Sequence, residues 1–97
     1  MGSRHTQAIA KAFSDLDLAD EQLRRLVEVL IAIVAASFLQ GPVQLAAIRP
    51  RFVGTLREKR FDACDPDEIA ALLTTDLVRQ ARSEVLRRGR REGVRPR

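Results

Sequence analysis

The sequence predicts an all-α protein, and three observations support this prediction. Apolar residues recur at intervals of three and four along most of the chain, the spacing that gives a helix one apolar face. No segment shows the strict alternation of apolar and polar residues that is typical of a half-buried strand. The chain has 97 residues, of which 45% are hydrophobic, enough for the core of one small domain. We therefore expect a small bundle of about four helices, completed by homodimerisation.

The first predicted helix covers Thr6 to Leu16. Its apolar stripe includes Ile9 and Phe13, which are separated by one helical turn. Asp17 or Asp20 is expected to cap the next helix, because a carboxylate there accepts hydrogen bonds from backbone N–H groups that have no helical partner.

The second helix is predicted to be the centre of the molecule. It runs to about Gln40, where Gly41 and Pro42 form a stop signal. From Val29 onward it is apolar nearly all round, and such a helix must be covered on several sides. We expect a second subunit to supply part of this cover. The residues expected at the dimer interface are Leu26, Val27, Leu30, Ile31, Val34 and Phe38.

A single membrane span is the less favoured interpretation of the same region. Residues 29–48 contain no charged residue, and a stretch of that length can cross a bilayer. However, Gln40, Gly41 and Pro42 interrupt the apolar run after about a dozen residues, which is too short for a span.

Pro50 divides the next predicted segment. We expect two short helices, Val43 to Ile48 and Phe52 to Lys59, because proline lacks a backbone N–H and disfavours helical angles in the preceding residue. Two short helices with a tight joint resemble a helix-turn-helix, although proline stands where such motifs usually carry glycine. A solvated basic face is the alternative. The cations expected to contact nucleic acid here are Arg49, Arg51, Arg57, Lys59 and Arg60.

The fourth helix has the clearest start in the sequence. Asp65 is the expected N-cap and Pro66 the first helical residue. The helix is predicted to run to about Arg88, and the weak helix formers of residues 74–76 could kink it.

An arginine-rich tail, residues 87–97, is predicted to follow a helical domain of residues 1–86. The tail contains six arginines and one glutamate, a net charge of +5 in a chain whose total is +4. Such a segment suits a polyanion, an acidic protein surface or an anionic membrane, because it gains from counterion release. The tail residues expected to contact nucleic acid are Arg87, Arg88, Arg90 and Arg91.

The tripeptide Arg88-Gly89-Arg90 resembles the core of an AT-hook. The resemblance implies minor-groove binding, in which glycine lets the backbone lie on the groove floor while both guanidinium groups point along it. The chain departs from the family's pattern because Arg87 and Arg91 stand where prolines usually flank the core.

Residues suited to catalysis or metal binding are few. His5 is the only histidine and Cys64 the only cysteine, which excludes a multi-cysteine metal site. The acids around Asp65 lack the spacing of a calcium loop. We expect no enzyme and no cofactor. The single cysteine and the lack of a secretory signal pattern favour the cytoplasm.

Two functions from different classes remain open. The first, which the charge pattern favours, is a small dimeric protein that binds nucleic acid, and DNA in particular, through backbone phosphates. The second is a protein-interaction module, such as an adaptor, inhibitor or assembly subunit, that docks a partner on its apolar helix. Binding that weakens steeply with salt would distinguish the first from the second.

Overall fold

The computed structural model describes residues 4–38 and 44–93, with side chains for residues 4–37 and 44–89. This part of the chain contains five α-helices and no strand, which confirms the all-α prediction. In chain order the helices are α1 (Arg4–Ala12), α2 (Asp20–Phe38), α3 (Leu45–Glu58), α4 (Pro66–Ala71) and α5 (Thr75–Gly93). A short 3-10 turn, Ser14–Leu16, follows α1.

Helix α2 lies at the centre of the bundle. It packs against α1, α3 and α5, while α1 also packs on α5 and α3 on α4. Buried apolar side chains from all five helices form one core cluster. In residues 4–38 and 44–93, no helix combines the length and the apolarity that crossing a membrane requires.

The residues expected at a dimer interface lie inside the single chain. None of the five whose side chains are described is more than 4% exposed, and the side chain of Phe38 lies outside the described residues. The cover that a second subunit was expected to supply comes from the chain's own helices, mainly α5 and α3. Homodimerisation stays a prediction. The five buried residues are Leu26, Val27, Leu30, Ile31 and Val34.

The residue before α2 is an alanine, whereas an aspartate was expected to cap this helix. Ala19 precedes the helix, its carbonyl oxygen accepts the N–H of Leu23, and its own N–H donates to the side-chain oxygen of Gln22 at 3.3 Å. Asp20 is the first helical residue, where its charge complements the helix dipole. Asp17 adopts a left-handed conformation, with φ of 57°, just after the 3-10 turn.

Helix α3 is continuous through Pro50, which corrects the expectation of two short helices. Proline in a helix interior costs about 3 kcal/mol. Pro50 is exposed, and burial of Ile48, Phe52 and Leu56 on the other side of the helix offsets this cost. Pro50 is therefore not the joint of a helix-turn-helix.

Two aromatic contacts tie α3 and the segment after it to the rest of the core. The rings of Phe13 and Phe52 are stacked, with centroids 6.2 Å apart and an angle of 8° between their planes. Both side chains are fully buried. The guanidinium group of Arg25, on α2, lies 5.9 Å from the centre of the Phe61 ring, within cation–π range.

The predicted fourth helix is two helices. Its start is confirmed, because the Asp65 carboxylate accepts a hydrogen bond from the backbone N–H of Asp67 at 3.1 Å and Pro66 opens α4. The helix stops after Ala71, and the Thr74 hydroxyl then caps α5 by accepting the N–H of Leu77 at 3.1 Å. The two helices are separated at residues 72–74, so the break overlaps the expected kink at residues 74–76 only at Thr74, and Thr75 and Asp76 open α5.

Candidate functional site

A group of four charged side chains joins α5 to α2. We call it the Glu84 network and define it as Glu28, Glu84, Arg87 and Arg88. Glu84 is fully buried. It is the only buried polar or charged side chain among residues 4–37 and 44–89. Two carboxylates face two guanidinium groups, so the network has no net charge.

Arg88 bridges the two helices of the Glu84 network. Its Nη1 and Nη2 atoms donate hydrogen bonds to the two carboxylate oxygens of Glu28, each at 2.9 Å. Its Nε atom donates to Oε2 of Glu84 at 2.6 Å. Arg87 donates to both oxygens of Glu84, at 2.9 and 2.8 Å. Hydrogen bonds between ionised partners are shorter than those between neutral groups, and the bidentate geometry adds specificity.

The pKa values within the Glu84 network follow from these bonds. The hydrogen bond from Arg88 lowers the pKa of Glu28, although desolvation and the charge of Glu84 oppose this shift. The hydrogen bond to Glu28 raises the pKa of Arg88, and that to Glu84 raises it further. The hydrogen bond to Glu84 raises the pKa of Arg87. The charged form is favoured at each of these three groups.

A groove of about 430 Å³ lies beside the Glu84 network, between α1, α2 and α5. Its lining combines apolar side chains with the charged groups of the network. The residues contributed by α1 and α2, apart from Glu28, are Thr6, Gln7, Ala10, Asp20, Leu23, Arg24 and Val27.

His5 also connects α1 to α5. Its Nδ1 atom lies 2.7 Å from the Oε1 atom of Gln80, within hydrogen-bond distance, and both side chains are half-buried. The His5 imidazole is therefore in contact with α5. Its partner is an amide, and the pair holds the start of α1 on the bundle.

The cations of α3 are divided between two sides of the helix. On the side that faces α4, Arg49 donates to the carbonyl oxygen of Leu73 at 3.0 Å. Arg57 forms an ion pair with Asp67 of α4, also at 3.0 Å. These two guanidinium groups are therefore bonded within the chain.

On the side that faces α2, Arg51 donates to the hydroxyl of Ser37 at 3.3 Å. Lys59 and Arg60 follow the end of α3 and are exposed, and Arg60 has a left-handed φ of 57°. The structure thus does not gather the five expected contact residues of this segment into one surface.

The candidate contact residues near the C-terminus lie on α5. This helix continues to Gly93, so Arg87 and Arg88 belong to the helical body and to the Glu84 network. Arg90 and Arg91 occupy helical backbone positions, and their side chains lie outside the described residues. The backbone at Gly89 is helical in this structure, and minor-groove binding through Arg88-Gly89-Arg90 stays a prediction.

The positive charge of the chain is unevenly distributed. Residues 4–89 contain thirteen lysines and arginines against twelve acids, a net charge of +1. Residues 90–97 contain four arginines and one glutamate, a net charge of +3. Most of the excess charge therefore lies in the last eight residues.

Two of the acids near Cys64 have structural partners. Asp65 caps α4 and Asp67 pairs with Arg57. The Cys64 thiol is half-buried, with its Sγ atom 3.9 Å from the carbonyl oxygen of Leu16. Among residues 4–37 and 44–89, no group of three or more histidine, cysteine or acidic side chains could hold a metal ion.

The Glu84 network was not predicted from the sequence, although the spacing of its residues in α5 indicates ion pairs. Glu84 lies on the apolar stripe of its helix, and arginines follow at three and four residues, the spacing of helical ion pairs.

Comparisons with protein-family models, with curated proteins and with solved structures find no match.

Proposed function

We propose that this protein binds nucleic acid, and duplex DNA in particular, through backbone phosphates contacted by the arginines at the end of α5 and in the residues that follow. The observation that supports the proposal is the division of charge, +3 in residues 90–97 against +1 in residues 4–89. A short cationic segment gains affinity for a polyanion by releasing condensed counterions. The function is binding, without catalysis.

The Glu84 network supports this proposal by anchoring the helix that leads into the cationic segment. Helix α5 packs on α1 and α2, and its buried Glu84 side chain accepts hydrogen bonds from Arg87 and Arg88. Arg90 and Arg91 follow within one helical turn. A segment that begins on an anchored helix loses less conformational freedom when it binds than one that is free along its whole length.

The cations of α3 contribute less to binding in this proposal. Asp67 offsets the charge of Arg57, and Arg49 and Arg51 each direct one N–H group toward an acceptor within the chain. The alternative function, a protein-interaction module that docks through α2, is less favoured because the apolar face of α2 is buried in the core.

Two variants with equal net charge test the proposal. The tail variant is R90Q/R91Q/R95Q/R97Q, and the control variant, on and just after α3, is R51Q/R57Q/K59Q/R60Q. Each loses four positive charges. Binding of a short fluorescent DNA duplex is measured by anisotropy over a series of salt concentrations.

We expect the tail variant to lose most of its affinity and the control variant to keep most of it. Each lost phosphate contact flattens the dependence of log K on log salt by about 0.9, so four lost contacts flatten it by about 3.6. Equal losses in the two variants would mean that net charge alone sets the affinity. If the unmodified protein does not bind the duplex at about 50 mM salt, the proposal fails and the protein-interaction function replaces it.

A further inference from the structure

The Glu84 network keeps two arginines of the cationic C-terminal region occupied by carboxylates of the same chain. We propose that Glu28 competes with nucleic-acid phosphates for Arg88, so that Glu28 limits the affinity of α5 for a polyanion. This inference rests on the proposed function and concerns how the same site is regulated.

The bonds of Arg88 show which of its two carboxylates a phosphate can replace. Arg88 presents Nη1 and Nη2 to Glu28, whose side chain is 51% exposed, and its own side chain is 35% exposed. A phosphate binds guanidinium through the same pair of parallel hydrogen bonds as a carboxylate. Glu84, which holds Nε, is fully buried and out of reach of a ligand.

The position of Arg88 along α5 places it beside the proposed contact residues. Arg91 lies three residues further along the helical backbone, a spacing that puts two residues on the same side of a helix. Gly89 is exposed, and a Cβ atom built on it would meet no atom within 4 Å. Position 89 therefore places no side chain beside Arg88 that would obstruct a phosphate.

The energies of the two interactions favour an exchange. A half-exposed ion pair such as Glu28–Arg88 contributes modestly to stability, because water solvates both partners when they separate. A phosphate of duplex DNA offers a similar bond and adds the release of counterions. Removing the charge of Glu28 should therefore make one further phosphate contact available.

The test compares the duplex affinity of the full chain with that of Glu28→Gln and of Glu21→Gln. Glu21 is exposed on the same helix, so the control changes the net charge equally. We expect Glu28→Gln to bind about eightfold more tightly near 0.1 M salt and to steepen the salt dependence by about 0.9, whereas Glu21→Gln keeps the original slope. In the double variant E28Q/R88Q the additional slope should disappear, because the gain acts through Arg88.

The outcomes separate the inference from the proposed function. If the unmodified protein binds DNA and Glu28→Gln has the slope of Glu21→Gln, the inference is wrong and the proposed function stands. If the unmodified protein does not bind, both are wrong. Thermal unfolding followed by circular dichroism checks that each variant is folded. Glu28→Ala should reproduce the gain in DNA affinity of Glu28→Gln.

Discussion

Replacing Glu84 with glutamine measures what a buried carboxylate contributes to this fold. The substitution keeps the shape of the side chain and one acceptor oxygen, and it removes the charge that Arg87 and Arg88 share. Both arginines then lose their charged partner at the buried end of the Glu84 network. We expect a folded but less stable protein.

The magnitude follows from how exposed the remaining charges are. Removing one partner of a fully buried ion pair costs about 3 to 5 kcal/mol, because a charge is left without solvent or partner. Here the arginine side chains are 38% and 35% exposed, so they can turn toward water, and Arg88 keeps Glu28. We therefore expect the free energy of unfolding to fall by about 2 to 3 kcal/mol, which is less than the cost for a fully buried ion pair or equal to its lower limit.

Urea unfolding followed by circular dichroism measures this loss. With an m value of about 1.5 kcal/mol per molar, the midpoint should fall by about 1.3 to 2 M. Glu28→Gln is the matched control, because it removes the exposed carboxylate of the same network and should cost no more than about 1 kcal/mol. Equal midpoints for the two variants would refute the conclusion that burial makes Glu84 the stronger contributor.

Four further predictions concern pH, two positions on α3 and the oligomeric state. Because the pKa of Glu28 is lower in the folded state, its contribution to stability should be complete above its ordinary pKa of 4.5 and lost as pH falls through the lower folded value; Glu28→Gln should remove this part of the acid dependence of the urea midpoint. Gly54→Ala should stabilise the protein by about 1 kcal/mol in thermal unfolding, because the added Cβ meets no atom within 4 Å and alanine favours the helix. Phe52→Ala should cost about 3 to 5 kcal/mol in urea unfolding, because it empties a fully buried site stacked on Phe13; a loss below about 1 kcal/mol would contradict this core. If homodimerisation holds, light scattering should give twice the monomer mass, whereas a stable monomer at high protein concentration would exclude it.

The sequence was sufficient for some of the features that depend on near neighbours in the chain. Helical spacing of apolar residues predicted the all-α class, and the Asp65-Pro66 pair predicted the start of α4. The prediction was wrong at Pro50, because proline in an isolated segment is expected to break the helix. The structure continues through it because the three large side chains buried on the other side of α3 contribute more than the lost hydrogen bond costs.

The remaining features depend on contacts between distant parts of the chain. An apolar helix such as α2 needs cover, but the sequence does not show whether the cover comes from another subunit or from α5. The pairing of Arg88 with Glu28 joins residues sixty positions apart. The sequence therefore does not show that Arg88 has a partner on α2.

The Glu84 network has a consequence for the uniqueness of the fold. The apolar stripe of α5 could in principle pack on α2 in more than one register, since apolar contacts are tolerant of sliding. Only one register places Arg88 of α5 opposite Glu28 of α2, and a shift of α5 by one turn would separate this pair and move the buried Glu84 side chain along α2. A single polar position can select one alignment of two helices in this way, as a buried asparagine does in a coiled coil. Replacing Glu84, Arg87 and Arg88 together with apolar residues should therefore preserve much of the stability while allowing α5 to settle in several alignments.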